Sequence, residues 1–364
     1  MGRTGGKTGW RLSLLVIALS LVAAACSPAE TTDSTTTTGP LAATTTEGGE
    51  ATTTSAAPEE PIQIAFFAPM ANSYVAATIE GLEEVAAREG AELTYFDTQF
   101  DATLEFSQIQ DAVAQGTFDA LIIIPLDPVA LVPAAEEAIA AGLAVVNTDL
   151  ALGPDLTTSQ PQIDGQAGTV MTPGTVRAEN ITNLLLEACA DLDPCNVGWI
   201  AGFATIDFEV KTKELLDQIV AENDHINLVA YQDGGGYLAD PALAIAQDIL
   251  QANPDINVLA TTGDQMTLGA QIAVEDAGLV PGVDVLLIGG GGSCPGVANV
   301  ESGAWFGTTL DVPRNEGVVG AEIAIGWVRG EITEPQGIDA QAESGFPSVL
   351  TAETVSQFEC QWEG

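Results

Sequence analysis

From residue 62 onward the chain alternates short apolar runs with amphipathic ones so regularly that few architectures remain open to it. IQIAFFAP begins the series as a strand, and SYVAATIEGLEEVAAREG follows with helical spacing and a glycine stop. AELTYFD, DALIIIPL and LAVVNTDL read as further strands, separated by the helical segments LEFSQIQDAVAQG and ALVPAAEEAIAAG. Strands this continuously apolar, each followed by a helix, predict a parallel sheet covered on both faces.

After an irregular stretch at 151–170 the rhythm restarts. VRAENITNLLLEACA, FEVKTKELLDQIVAEN, PALAIAQDILQANP and TLGAQIAVEDAG are helical; NVGWIAGF, INLVAYQD, VLATTGD, VDVLLIGG and WFGTTLDV are strands. Residues 62–364 also exceed the usual size of one domain, so two α/β lobes are expected, each a doubly wound parallel sheet. The helix at NEGVVGAEIAIGWVRG belongs to the first lobe if the chain crosses back near Asp311. The expected boundaries are 62–165 plus 312–338 for the first lobe and 166–311 plus 339–364 for the second lobe and tail.

The first 61 residues belong to neither lobe. Arg3, Lys7 and Arg11 precede an apolar run from Leu12 to Ala25, too short to span a bilayer but suited to a secretory signal over 1–25. The run closes on LVAAAC, which resembles the lipobox of bacterial lipoproteins, with Ala23 where leucine is commoner. The resemblance implies acylation of Cys26 and attachment to the outer side of the cell membrane through that lipid alone. Residues 26–61, rich in Thr, Ala, Gly, Ser, Glu and Pro, cannot bury enough apolar surface to offset the entropy of ordering, and read as a tether. GGKTG around Lys7 lacks the first glycine of a phosphate-binding loop and its strand-to-helix setting.

Nine basic residues stand against 51 acidic ones, a net charge of −42, and three of the nine lie in the signal segment. Such a surface repels phosphate backbones and anionic lipid, which excludes nucleic acid as a partner. Beyond Cys26 the cysteines are Cys189, Cys195, Cys294 and Cys360, and an even number in an exported chain favours disulfides. Cys189 with Cys195, and Cys294 with Cys360, is one of the three pairings open to them.

Several strings, in their order and spacing, resemble the type I periplasmic binding proteins of the ribose-binding-like branch: ANSYVAATIEGLEEVAAREGAEL, DALIIIPLDPVALVPAAEEAIAAGLAVVNTD, ILQANPDINVLATTGDQMTLGA and GTTLDVP. The resemblance covers 62 to about 355. It implies two lobes joined by three hinge crossovers that close on a ligand at the C-terminal ends of the strands, as open α/β sheets dispose their ligands. It also implies a sugar or sugar-like ligand, no cofactor, a monomer, and an ABC permease as partner.

Carried over residue by residue, the resemblance places the first-loop asparagine and stacking aromatic at Asn72 and Tyr74, with Val75 in place of a second aromatic. The hydroxyl-binding acid falls on Asp149 and the hinge position on Asp311. Phe208 and Asp264 are the expected second-lobe contacts, Asp264 being equally readable as a helix cap. The arginine that should follow Asp149 is Leu150, the second arginine near 209–212 is missing, and Gly263 and about Gly291 replace an asparagine and an acid. Acceptors persist while charged donors are mostly lost, which admits a ligand bearing extra donors, such as an amino sugar, a polyol or a cationic solute. A sensor docking to a signalling receptor is an alternative to the transport role.

Other classes fit poorly. His225 is the single histidine and sits in a polar turn, no metal-spaced cluster or GxSxG elbow occurs, and IGGGGSCPG lacks the GxGxxG register. Catalysis is therefore not expected. A signal segment stands where a sugar-responsive repressor would carry its DNA-binding helices.

Overall fold

The computed structural model describes residues 60–364 apart from positions 71, 204, 205 and 235. The signal segment, Cys26 and all but the end of the tether lie outside the described residues.

The first lobe is built as the alternation predicts. Strands β1 (Gln63–Ala68), β2 (Glu92–Asp97), β3 (Ala120–Ile123), β4 (Ala144–Thr148) and β5 (Gly168–Met171) are parallel, with helices α1 (Ser73–Glu89), α2 (Ala102–Gln115) and α3 (Val132–Ala140) between the first four. Successive residues of β1 point to opposite faces and both faces are buried: Ile64 and Phe66 enter one core cluster, Ala65 and Phe67 another. Asn72 starts α1 by accepting a hydrogen bond from the Tyr74 N–H at 2.7 Å, and Gly90 ends it in the left-handed conformation.

The second lobe repeats the plan with α4 (Gly174–Cys189), β6 (Cys195–Ala201), α5 (Asp207–Glu222), β7 (Ile226–Asp233), α6 (Ala239–Ala252), β8 (Val258–Thr261), α7 (Asp264–Asp276), β9 (Leu286–Gly291), α8 (Cys294–Ser302) and β10 (Gly307–Leu310). The chain then returns. Helix α9 (Pro313–Val328) packs on α1 and on β4, and β11 (Gln336–Asp339) completes the first sheet beside β5. Beyond α10 (Ala340–Ser344), β12 (Val349–Thr351) closes the second sheet antiparallel to β10.

Among the described residues the sheet orders are β11-β5-β4-β3-β1-β2 and β12-β10-β9-β8-β6-β7. The chain passes between lobes three times: after Met171, between Leu310 and Pro313, and between α10 and β12.

Two expectations need correction. The irregular stretch 151–170 contains the start of β5, so the first lobe extends through Met171 rather than ending at 165. Likewise β11 reaches Asp339, one residue past the expected return boundary. GTVM is short and opens on a glycine, too little pattern to read as a strand.

Close approach of the α1 and α9 backbones depends on a glycine in each helix. A Cβ on Gly81 of α1 would strike the Arg314 carbonyl oxygen, and one on Gly317 of α9 would strike that of Thr78. The two disulfides are Cys189–Cys195, joining the end of α4 to the start of β6, and Cys294–Cys360, joining the start of α8 to the segment beyond β12.

Candidate functional site: the cleft between the lobes

In each sheet the strand order reverses at one point, between β1 and β3 in the first lobe and between β6 and β8 in the second. Ligands of open α/β sheets bind beyond the strand ends at such reversals. A cavity lies there, between the two lobes. Its walls come from both lobes: Pro69, Asn72, Tyr74 and Ile124 on one side, Phe208, Tyr237 and Thr262 on the other.

Arg177 is the centre of the site. It stands in the first turn of α4, and its Nη2 lies 2.7 Å from Asp149 Oδ1 and 3.1 Å from Asp311 Oδ1. The same nitrogen donates to the Tyr74 hydroxyl at 3.0 Å, and that hydroxyl donates to Glu316 Oε2 at 3.2 Å. The Phe208 ring lies under the guanidinium, 5.5 Å from Cζ to its centroid. Asp149 reaches inward from a left-handed backbone conformation, φ 64°, which aspartate tolerates better than most residues.

Burial works against the Arg177 charge, but Asp311 and Asp149 outweigh it and raise its pKa well above the ordinary value. Burial, with Asp149 close by, pushes Glu316 well above the usual carboxylate range and so favours its neutral form. Burial also raises Asp311, opposed by Arg177. One cation thus serves two carboxylates beside a third acid biased toward neutrality. Arg177 Nε and Glu316 Oε1 are buried without a hydrogen-bond partner among the described residues, a donor and an acceptor facing the same cluster.

A second network supports the far wall. Glu209 is fully buried, and its Oε1 accepts from the Gly202 N–H at 2.7 Å, from Thr262 and from the Tyr237 hydroxyl at 3.0 Å. Burial lifts its pKa to about 7 against those hydrogen bonds. Tyr237 is thereby fixed with its ring nearly parallel to that of Phe208, centroids 6.4 Å apart. The lobes also touch directly, through Gln265 Nε2 donating to Ser73 Oγ at 2.8 Å and through the Phe100 and Phe203 rings, 4.9 Å apart.

The structure brings five of the six expected ligand-binding residues to this cavity: Asn72, Tyr74, Asp149, Phe208 and Asp311. Asn72 is mostly buried, and its Oδ1 is engaged by the start of α1. Asp264 is not among the lining residues. Its carboxylate accepts from the Ser293 N–H at 2.7 Å, the Ser293 hydroxyl at 2.8 Å and the Thr308 hydroxyl at 2.6 Å, so it fastens α7 to the corners around β9 and β10.

The expectation that charged donors are mostly lost is corrected by Arg177. The cation enters from α4 rather than from the position after Asp149, where Leu150 stands, or from 209–212, where Lys211 faces outward to Glu214. Sequence reasoning also missed Tyr237, Glu316 and Trp362. The helical reading of VRAENITNLLLEACA was available, but without β5 before it nothing placed its first turn at the cleft.

Two six-stranded lobes, three crossovers and a cleft lined from both sides define a two-lobed ligand-binding protein. The chain belongs to the family described as the periplasmic binding protein domain, whose model matches residues 64–332. It is similar to the ribose import binding protein RbsB of Bacillus subtilis (strain 168), 25% identical over 254 residues, 70% of this chain and 77% of that protein. It is similar also to a xylitol-binding protein of Mycolicibacterium smegmatis, 24% identical over 262 residues, 71% of this chain and 70% of that one. A solute-binding protein of Actinobacillus succinogenes 130z with bound D-allose superposes with a TM-score of 0.67 at 24% identity, covering 82% of this chain and 100% of that one.

Proposed function

We propose that this chain is the extracytoplasmic solute-binding component of an ABC importer and that its ligand is a neutral polyhydroxy compound, a sugar or polyol. The observation that carries the reading is Arg177 held between Asp149 and Asp311 in the interlobe cavity. A hydroxyl group both donates and accepts, and a cluster with a guanidinium and two carboxylates serves both needs at once. The rings of Tyr74, Phe208 and Tyr237 offer flat apolar surface for the C–H faces of such a ligand. Ribose, xylitol and D-allose, the ligands in the names of the similar proteins, have this chemistry.

The charge balance favours a neutral ligand over a cationic one, since Arg177 already answers both carboxylates and Glu316 is biased toward its neutral form. The cluster is read as a binder without catalysis, because Asp149 and Asp311 are both paired to Arg177. Contacts from both lobes select the closed arrangement, which a permease would recognise. A lipid on Cys26 and the tether behind it would hold a monomer near that permease and raise its effective concentration.

The test is a thermal-shift screen of the chain against D-ribose, D-allose, xylitol, spermidine and L-lysine, followed by calorimetric titration of any hit. Stabilisation by a neutral polyol or sugar is the expected result. Stabilisation by spermidine or lysine alone would overturn it.

A further inference from the structure

Trp362 lies beyond the last strand and beyond the reach of the family match, yet its indole is buried and lines the ligand cavity. Three anchors bring it there, and all of them reach the corner between β9 and α8. The Cys294–Cys360 disulfide ties the backbone two residues upstream, the Cys294 N–H donates to the Trp362 carbonyl at 2.8 Å, and the indole Nε1 donates to the Gly291 carbonyl at 3.1 Å. Gly291 is what leaves room for the ring: it has φ 129°, and a Cβ there would lie 2.9 Å from the indole. From this seat the indole meets the Tyr74 ring of the opposite lobe edge-on, centroids 5.8 Å apart.

We propose that Trp362 is a ligand-contacting residue that sets the shape of the cleft, and that the Cys294–Cys360 disulfide holds it in place. The proposal rests on the solute-binding reading and deepens it. Because the indole N–H is committed to Gly291, the ring presents only apolar surface to the ligand, which suits the C–H face of a compact sugar or polyol rather than its hydroxyls. The contact with Tyr74 joins the two lobes, so the segment 358–364 contributes to the closed arrangement as well as to the wall.

The experiment compares the full chain with Trp362→Ala, Trp362→Phe and the double variant Cys294→Ser/Cys360→Ser. Calorimetric titrations use D-ribose, D-allose and xylitol, and Trp362 emission is isolated as the difference between wild type and Trp362→Phe. For the tightest of the three probes, Trp362→Ala is expected to weaken binding about tenfold or more, as truncation of a buried aromatic anchor does. Trp362→Phe should stay within about threefold, and the double variant should fall between them. In the ligand-free protein, the Trp362 emission should be blue-shifted and shielded from acrylamide, and both properties should be lost in the double variant.

Wild-type affinity in Trp362→Ala would overturn the contact. An unchanged Trp362 emission in the double variant would overturn the role of the disulfide. If none of the probes binds wild type, the sugar reading fails on its own, and the emission comparison still decides whether the disulfide holds the ring in the cleft.

Discussion

The Arg177 guanidinium of the second lobe stands 2.7 Å from the Asp149 carboxylate of the first. The pair bridges the two lobes at the wall of the ligand cavity. Asp149→Ala should weaken binding of the tightest sugar or polyol about tenfold or more, since a charged hydrogen-bond acceptor is worth about 1.5–3 kcal/mol. Arg177→Ala should lose at least as much, because two carboxylates then lose their ion-pair partner and the Tyr74 hydroxyl its donor. Calorimetric titration of both variants checks this, and undiminished affinity in either would take the pair out of the binding site.

A pH effect on stability follows from Glu209, whose pKa burial lifts to about 7 from an ordinary value of 4.5. Between those values the folded protein keeps a proton that the unfolded chain has released. Its contribution is therefore complete below the lower value and is lost as pH rises through the upper one, roughly 1.4 kcal/mol for each pH unit between them. Glu209→Gln removes the titration while keeping an oxygen where all three donors converge. Urea unfolding at about pH 5 and about pH 8 should show a flatter dependence in the variant than in wild type. Some slope should remain, because burial raises Asp264 to about 6 and Glu105 to about 8 in the same direction.

Asp264 should behave as a structural residue. Asp264→Ala leaves the Ser293 and Thr308 donors buried without their acceptor, and each such loss costs about 1–3 kcal/mol. The urea midpoint is expected to drop sharply. A variant of normal stability that nonetheless fails to bind ligand would return Asp264 to the site.

Gly317→Ala tests the contact between α1 and α9. The added methyl would collide with the Thr78 carbonyl oxygen, and overpacking of this kind costs about 1–3 kcal/mol. The variant should melt earlier than wild type, and Gly330→Ala, where a Cβ meets nothing within 4 Å but φ is 70°, separates collision from backbone strain.

Much of this architecture was legible because the buried strands carry apolar residues on both faces. Ile64 to Ala68, and Val258 with its neighbours, announce themselves in any reading of the sequence. The pieces that were missed are short and need partners to exist. GTVM at β5 is a strand because β4 and β11 flank it, and QGID at β11 has no pattern of its own.

The site divides along the same line. Asn72, Tyr74, Asp149, Phe208 and Asp311 follow strands or turns that the sequence marks, so their approach to the cleft could be anticipated. Arg177 could not be anticipated, because its position depends on an unrecognised strand ending three residues before α4 begins. Asp264 misled for the opposite reason. Its place after a strand was read correctly, but the direction of its side chain is set by Ser293 and Thr308, which lie far along the chain.

The return of β11 to the first sheet bears on the order in which this protein can be completed. A chain emerging N-terminus first, from a ribosome or an export channel, offers β1 to β5 early but withholds Gln336–Asp339 until nearly everything else has passed. Until then β5 has an open flank of unpaired backbone groups, the kind of surface that recruits strands from other chains. Helix α9, which covers α1 and β4, is equally late. The second sheet waits on β12, later still, but β12 follows β10 closely along the chain. The open flank of β5 is therefore the longer-lived one, and the surface a chaperone guarding this protein would meet longest.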